Sequence, residues 1–185
     1  MITPNFLHVF NAYTSESNMN MIYRGITGDI QKVIRTSPYN NESGVYVGSL
    51  WRLAPTGDFT PDTFYYGSMV FVGNGTTAPT IDDYNLESLI GYSADGLHME
   101  STSLAYNENT DHYKINRIMT VVLKNKSEND INVSEMGWFI AVPTPDNNAS
   151  EQTGEYYRMM LAREVFEPVK IKPGEVRAFT MSIEM

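Results

Sequence analysis

The strongest constraint in this sequence is the alternation of apolar and polar side chains over roughly its last 70 residues, which is the spacing of a β-strand, whose successive side chains point to opposite faces. A helix cannot bury a stripe of that period. In Val169, Ile171, Phe179, Met181, Ile183 and Met185 the odd positions carry the apolar groups. Lys172-Pro173-Gly174-Glu175 interrupts them with a turn signal, because Pro fixes one backbone angle and Gly tolerates the next. This reads as a closing hairpin. Upstream, Ile115 to Lys124 is rich in β-branched residues, and the polar Asn125 to Asp130 separates it from a strand starting at Ile131, a second hairpin. That second strand changes parity: Ile131 and Val133 are odd, whereas Met136, Trp138, Ile140 and Val142 are even. A β-bulge between Glu135 and Gly137 would restore one buried face.

Pro143 to Gly154 is a loop by composition, and a strand from Tyr156 to about Val165 follows it. Gly44 to Ala54 and Phe64 to Val72 are strand-like, with Leu97 to Tyr106 a less patterned candidate. Helical signals are short. Thr27 to Arg35 places Ile30, Val33 and Ile34 on one face, and Thr80 with Asp83 matches a capping box at the head of a second short helix. Many short strands between turn signals define an all-β chain, an antiparallel β-sandwich or jelly-roll-like domain with short helical pieces and an N-terminal arm. The expected division is an arm or peripheral layer over residues 1–40 and a sandwich over 41–185. Phe6, Leu7, Val9, Phe10, Tyr13, Ile22 and Tyr23 are too many large apolar groups for a free tail, so the arm should pack on a neighbouring subunit or on an outer sheet.

Of the 185 residues 42% are hydrophobic, enough for a real core. Acidic residues outnumber basic ones by 22 to 13, a formal net charge of -9, which disfavours nucleic acid and anionic membrane surfaces as partners. The absence of cysteine excludes disulfides, thiol nucleophiles and thiolate metal sites. The opening residues carry no basic segment followed by an apolar one, so no secretory leader is expected, and no apolar run has the length of a membrane span.

Gly73-Asn74-Gly75-Thr76-Thr77-Ala78 follows an apolar strand and matches GxGxxA, with Asp95 about 20 residues beyond the second glycine, as in a dinucleotide site. No βαβ alternation surrounds it and Pro79 follows at once, so glycines of a strand-ending loop are the better reading. His8, His98 and His112 show no metal-ligand spacing. Neither Gly48-Ser49 nor Gly67-Ser68 completes a nucleophile elbow. Asp82 with Asp83, Asp58 with Asp62, and Glu128 with Asp130 are the paired acids, and turns account for them without a cation. No catalytic, cofactor or metal residue is therefore assigned.

The 12 Tyr, 8 Phe and 2 Trp include the runs Phe64-Tyr65-Tyr66 and Tyr156-Tyr157, which put aromatic rings on both faces of a strand. One face must then meet a second sheet, a neighbouring subunit or a ligand. Trp51, Trp138 and the tyrosine pairs are the candidates for stacking on a sugar ring.

Three blocks carry a resemblance. Residues 71–90 (FVGNGTTAPTIDDYNLESLI), 133–142 (VSEMGWFIAV) and 156–183 resemble a recurrent group of tailed-bacteriophage virion proteins. In that group a G-x-G-x-x-x-P-x-x-x-D segment precedes strands patterned SEIGLF, LLAR-x-x-F-x-PV and a final proline-glycine turn. Met136 and Trp138 stand here where Ile and Leu are usual. The resemblance implies a non-enzymatic virion component, an auxiliary capsid, head-fibre, collar or tail protein made in the host cytoplasm. Its implied partners are further copies of itself and neighbouring virion proteins. The alternative is a carbohydrate-binding adhesion module for a bacterial surface glycan.

Overall fold

The alternating segments become long strands, because β-branched and aromatic side chains pack best on a pleated surface with one face buried. The computed structural model describes residues 1–7, 20–34, 53–65, 67–109, 114–143 and 156–184. Its strands, in chain order, are β1 (Asn20–Arg24), β2 (Ile30–Ile34), β3 (Gly67–Gly73), β4 (Leu89–Ile90), β5 (Leu97–Asn109), β6 (Lys114–Asn125), β7 (Ile131–Pro143), β8 (Tyr156–Ile171) and β9 (Val176–Glu184). They form a four-stranded antiparallel sheet in the order β4-β3-β7-β8, a three-stranded antiparallel sheet β5-β6-β9, and the hairpin β1-β2. The protein is an all-β antiparallel sandwich.

Two expected hairpins are corrected. β6 and β7 lie in different sheets, and so do β8 and β9. Each intervening turn is an arch that carries the chain across the core, so the apolar faces of the two strands meet from opposite sides of the sandwich rather than side by side. Asn125, fully buried, ties both arches together. Its side-chain amide donates to the carbonyls of Asn129 at 2.7 Å and Ile171 at 2.9 Å, while the Gly174 amide donates to its own carbonyl at 2.7 Å. Gly174 takes a φ of 76°, which is why the turn needs glycine there.

The parity change in β7 has a different cause from a bulge in that strand. Residues 133–142 are buried on both faces, so odd and even positions are both apolar. The register does shift against β8, between Val133 and Glu135 and between Trp138 and Phe139, but the surplus residues belong to β8: the step from Val133 to Glu135 is met by Val169 to Val165. One face of β7 looks toward β9 in the other sheet. The other, with Phe139 beside Met69 and Phe71 of β3, lies under the chain's own loops, where Phe71 packs on Phe64 at 5.3 Å and Tyr92 at 5.3 Å between ring centroids.

Both short helices are corrected as well. Ile30 to Ile34 is strand β2, and the segment after Thr80 consists of turns. A single helical turn spans residues 4–7, with Pro4 at its start where a missing amide costs nothing. Residues 1–7 lie along β8: Ile2 bridges Ala162, the Thr3 amide donates to the Leu161 carbonyl at 2.8 Å, and Phe6 enters the core. Asn5 then links this segment to β1, donating to the Arg24 carbonyl and accepting from the Arg24 amide, each at 2.8 Å. Gly44 to Leu50, Trp51, Tyr66, His8 and His112 lie outside the described residues.

Candidate functional site

The loop that leaves β3 at Gly73 and returns as β4 folds over the outer face of β7, and one carboxylate holds it there. Glu135 has no exposed surface. Its Oε1 accepts the amides of Gly75 at 3.0 Å and Ser88 at 2.8 Å, and its Oε2 accepts the Glu87 amide at 3.1 Å. Oε2 also takes two donors from Arg163 on β8, Nε at 2.9 Å and Nη2 at 2.8 Å. A charge this deeply buried persists only when paired and saturated with hydrogen bonds, and Glu135 is both.

Arg163 extends the network outward. Its Nη1 donates to Asp83 Oδ2 at 2.8 Å, and Nη2 reaches Glu87 at 3.5 Å. Asp83 accepts the Thr80 amide at 3.0 Å and the Thr80 hydroxyl at 2.9 Å. The capping-box residues thus make part of their usual pattern without a helix behind them. Burial pushes the Asp83 carboxyl up, but the bonds from Arg163 and Thr80 together outweigh it and hold it below its ordinary value. Glu87 is held low by the Thr77 amide and hydroxyl, with the Thr76 amide and the Arg163 charge adding to them.

This geometry decides the glycine motif. A phosphate site needs backbone amides aimed at an empty anion position. Here the Gly75 amide is taken by Glu135, and those of Thr76 and Thr77 by Glu87 at 3.0 and 2.9 Å. The loop binds the protein's own carboxylates. Its glycines are required by closeness: a Cβ on Gly73 would stand 2.4 Å from Glu135 Oε1, and one on Gly75 would stand 2.6 Å from it. Asp95 sits apart, in the turn that enters β5.

Two clefts flank the β1-β2 turn. The larger, about 500 Å³, is lined by Arg163, Asp83, Glu87, Tyr84 and the turn residues Ile26 and Thr27. Arg24 braces two of the lining residues, stacked 4.3 Å from the Tyr84 ring centroid and donating to the Asp82 carbonyl at 2.9 Å. The smaller, about 210 Å³, is lined by Asp62, Tyr156, Tyr157 and Arg158 on the other side of the same turn. Arg158 donates from Nε to the Phe64 carbonyl at 2.7 Å. Burial lowers its pKa, an effect that Asp62 and Tyr156 only partly offset.

The remaining sequence candidates scatter. His98 pairs with Asp58 at 3.1 Å, Asp130 with Lys170 at 3.0 Å, and Ser68 is buried within β3. Among the described residues no three potential ligands converge on a metal position. Trp138 is 1% exposed, so it is not available to stack on a sugar. Glu135 and Arg163 were not singled out from the sequence; Glu135, the one charge in the otherwise apolar β7, offered a signal, whereas Arg163 stands among other charges in β8 and offered none.

Fold and site together define an all-β sandwich protein in which a buried ion pair holds a glycine loop over one sheet. No protein family model, curated protein or solved structure matches the chain. No helix among the described residues is long and apolar enough to cross a membrane.

Proposed function

We propose that the chain is a non-enzymatic structural component of a bacteriophage virion, an auxiliary capsid, head-fibre, collar or tail protein that binds copies of itself and neighbouring virion proteins. One observation carries this reading: the residues of the three resembling blocks meet at a single place. Gly73, Gly75 and Asp83 come from the first block, Ser134 and Glu135 from the second, and Arg163 from the third. Glu135 and Arg163 join them, and the Ser134 hydroxyl donates to the Gly75 carbonyl at 2.9 Å. A motif whose members brace one another explains why the blocks occur together, and it is the chemistry of a rigid scaffold rather than of turnover. The reading invokes no cofactor and no metal. Mass spectrometry and density maps of particles from a phage that encodes this chain provide the test. Several ordered copies per particle are expected, and particles that lack the chain would overturn the proposal.

A second reading, a glycan-binding module, is favoured by the smaller cleft, where Tyr157 stands beside a donor, Arg158, and an acceptor, Asp62. A volume of about 210 Å³ suits a single sugar ring. A glycan array with no hits would remove it.

A further inference from the structure

The rest of the chain treats the two sheets of the sandwich differently. The outer face of β3, β7 and β8 is covered by residues 1–7, the β1-β2 turn and the loop over Glu135, whereas none of the described residues lies over the outer face of β5-β6-β9. The register of that second sheet sets three rows across three strands: Ser101, Val122 and Ala178; Ser103, Thr120 and Thr180; Ala105, Ile118 and Ser182. These positions point away from the core, because the alternate ones, Met119, Val121, Leu123, Phe179, Met181 and Ile183, are buried. The flanking residues on β5 and β9 are exposed and the central ones on β6 half-exposed, so none of the described residues covers them.

None of these positions is charged, although an ordinary surface patch of this size would carry roughly two or three charges. Charges stand only at the margins, Glu100 and Lys124 at one end and Glu184 at the other. The relief is also particular. Ile118, Thr120 and Val122 form a β-branched ridge along the central strand, and Ser101, Ser103 and Ala105 leave a trough of short side chains beside it.

We propose that this face docks a second copy of the same chain, sheet against sheet about a two-fold axis, the ridge of each copy seated in the trough of the other. The inference rests on, and deepens, the self-association in the functional reading above. Charge selects the occupant. Two copies that each carry a formal -9 repel over most of their surfaces, and the nine uncharged central positions of this face let them approach without opposing like charges, whereas a basic partner would find acidic groups only at its margins, Glu100 and Glu184. Area sets the strength. Strands about 4.8 Å apart and rows about 6.7 Å apart, margins included, give about 450 Å² per copy. The pair then buries about 900 Å², below the roughly 1,200 Å² of stable complexes. The contact is therefore weak in dilute solution and effective where copies are held close together.

The experiment is sedimentation equilibrium of the full chain up to about 1 mM, joined to cysteine cross-linking, which the cysteine-free background makes unambiguous. Concentration-dependent dimers are expected, with Thr120→Glu and Ala178→Glu each weakening them at least about tenfold. The near-isosteric Thr120→Cys should oxidise to a disulfide dimer faster than Lys170→Cys, a position on the other sheet, and it decides the matter if a charged variant fails to fold. Dimers that both Glu variants leave intact would overturn this face while leaving self-association standing. A wild-type chain monomeric at the highest concentration, with no preferential cross-link, would overturn both, and presence in the particle is decided separately by mass spectrometry.

Discussion

Glu135 and Arg163 reach each other across Gly137. Arg163 lies directly opposite Gly137 in the β7-β8 register, and Glu135 is the next residue of β7 on the same face. With no side chain at Gly137, the guanidinium lies along the sheet and meets the carboxylate at 2.8 Å. A Cβ there would stand 2.7 Å from the Phe139 ring and 3.0 Å from Leu86 and Met160, so the glycine also lets the covering loop settle. Each strand contributes one charge that would be costly alone, and the two are buried together.

Removing one partner should therefore cost more than removing both. Arg163→Met leaves Glu135 buried with neutral donors only, and a loss of about 3–5 kcal/mol is expected. Glu135→Met should cost a similar amount, because it takes the shared acceptor away from the buried Arg163 guanidinium and from the amides of Gly75, Glu87 and Ser88. The double variant Glu135→Met with Arg163→Met should recover part of the loss, since apolar replacements of a buried pair are tolerated. Urea unfolding of the four proteins measures the coupling. Additive losses would show that the two side chains do not act as a pair.

Acid should loosen the same region. Asp83 has a folded pKa below its ordinary value of 3.8, and Glu87 one below 4.5, so both bind protons less readily folded than unfolded. Their contribution is complete above those ordinary values and is lost as pH falls through the lower folded ones. Melting temperature should accordingly fall with pH below about 4.5. Asp83→Asn should flatten that slope while lowering stability at neutral pH. An unchanged slope in the variant would place the acid sensitivity elsewhere.

Much of the fold was legible because a period of two leaves a strand few alternatives. The turn at residues 172–175 and the odd-numbered core of β9 are as the pattern indicates, with Phe179, Met181 and Ile183 buried. Pairing was not legible. A short polar turn between two alternating strands looks the same whether the chain reverses within one sheet or arches to the other, and only tertiary contacts such as those of Asn125 distinguish the two. The lock was half legible. Its glycines and Asp83 stood in a visible motif, but the loop's ligand is a carboxylate from β7, some 60 residues away from Gly75 in sequence.

Gly73 in the lock and Gly174 in the turn between β8 and β9 differ in what they require, and alanine substitutions should separate them. Gly73→Ala places its Cβ 2.4 Å from both Glu135 Oε1 and the Ser88 carbonyl, and backbone cannot swing aside. A loss of about 2–3 kcal/mol is expected, typical of overpacking in a closed site. Gly174→Ala meets nothing within 4 Å, and its cost is the conformational one of φ at 76°, about 1 kcal/mol. Equal losses at the two positions in thermal unfolding would mean that Glu135 does not press on the loop.

Asn125 provides the sharpest test of the arches. It is fully buried, and its side-chain nitrogen donates to carbonyls on both arches, Asn129 on one and Ile171 on the other, while its oxygen accepts the Ser127 amide at 2.9 Å and the Ser127 hydroxyl at 2.7 Å. Asn125→Asp keeps the shape and the accepting oxygen but replaces the donor with a second acceptor facing two carbonyls. The expected loss is about 3 kcal/mol at neutral pH, from two broken bonds and an unpaired buried charge. Protonation restores a donor, so the deficit against the wild type should shrink as pH falls through the raised pKa of the buried Asp. Asn125→Ala removes both functions and lacks that recovery. Comparing the three proteins by urea unfolding at neutral and mildly acidic pH isolates the donor. A loss in Asn125→Asp that does not vary with pH would show that the stitch between the arches depends on something other than the amide nitrogen.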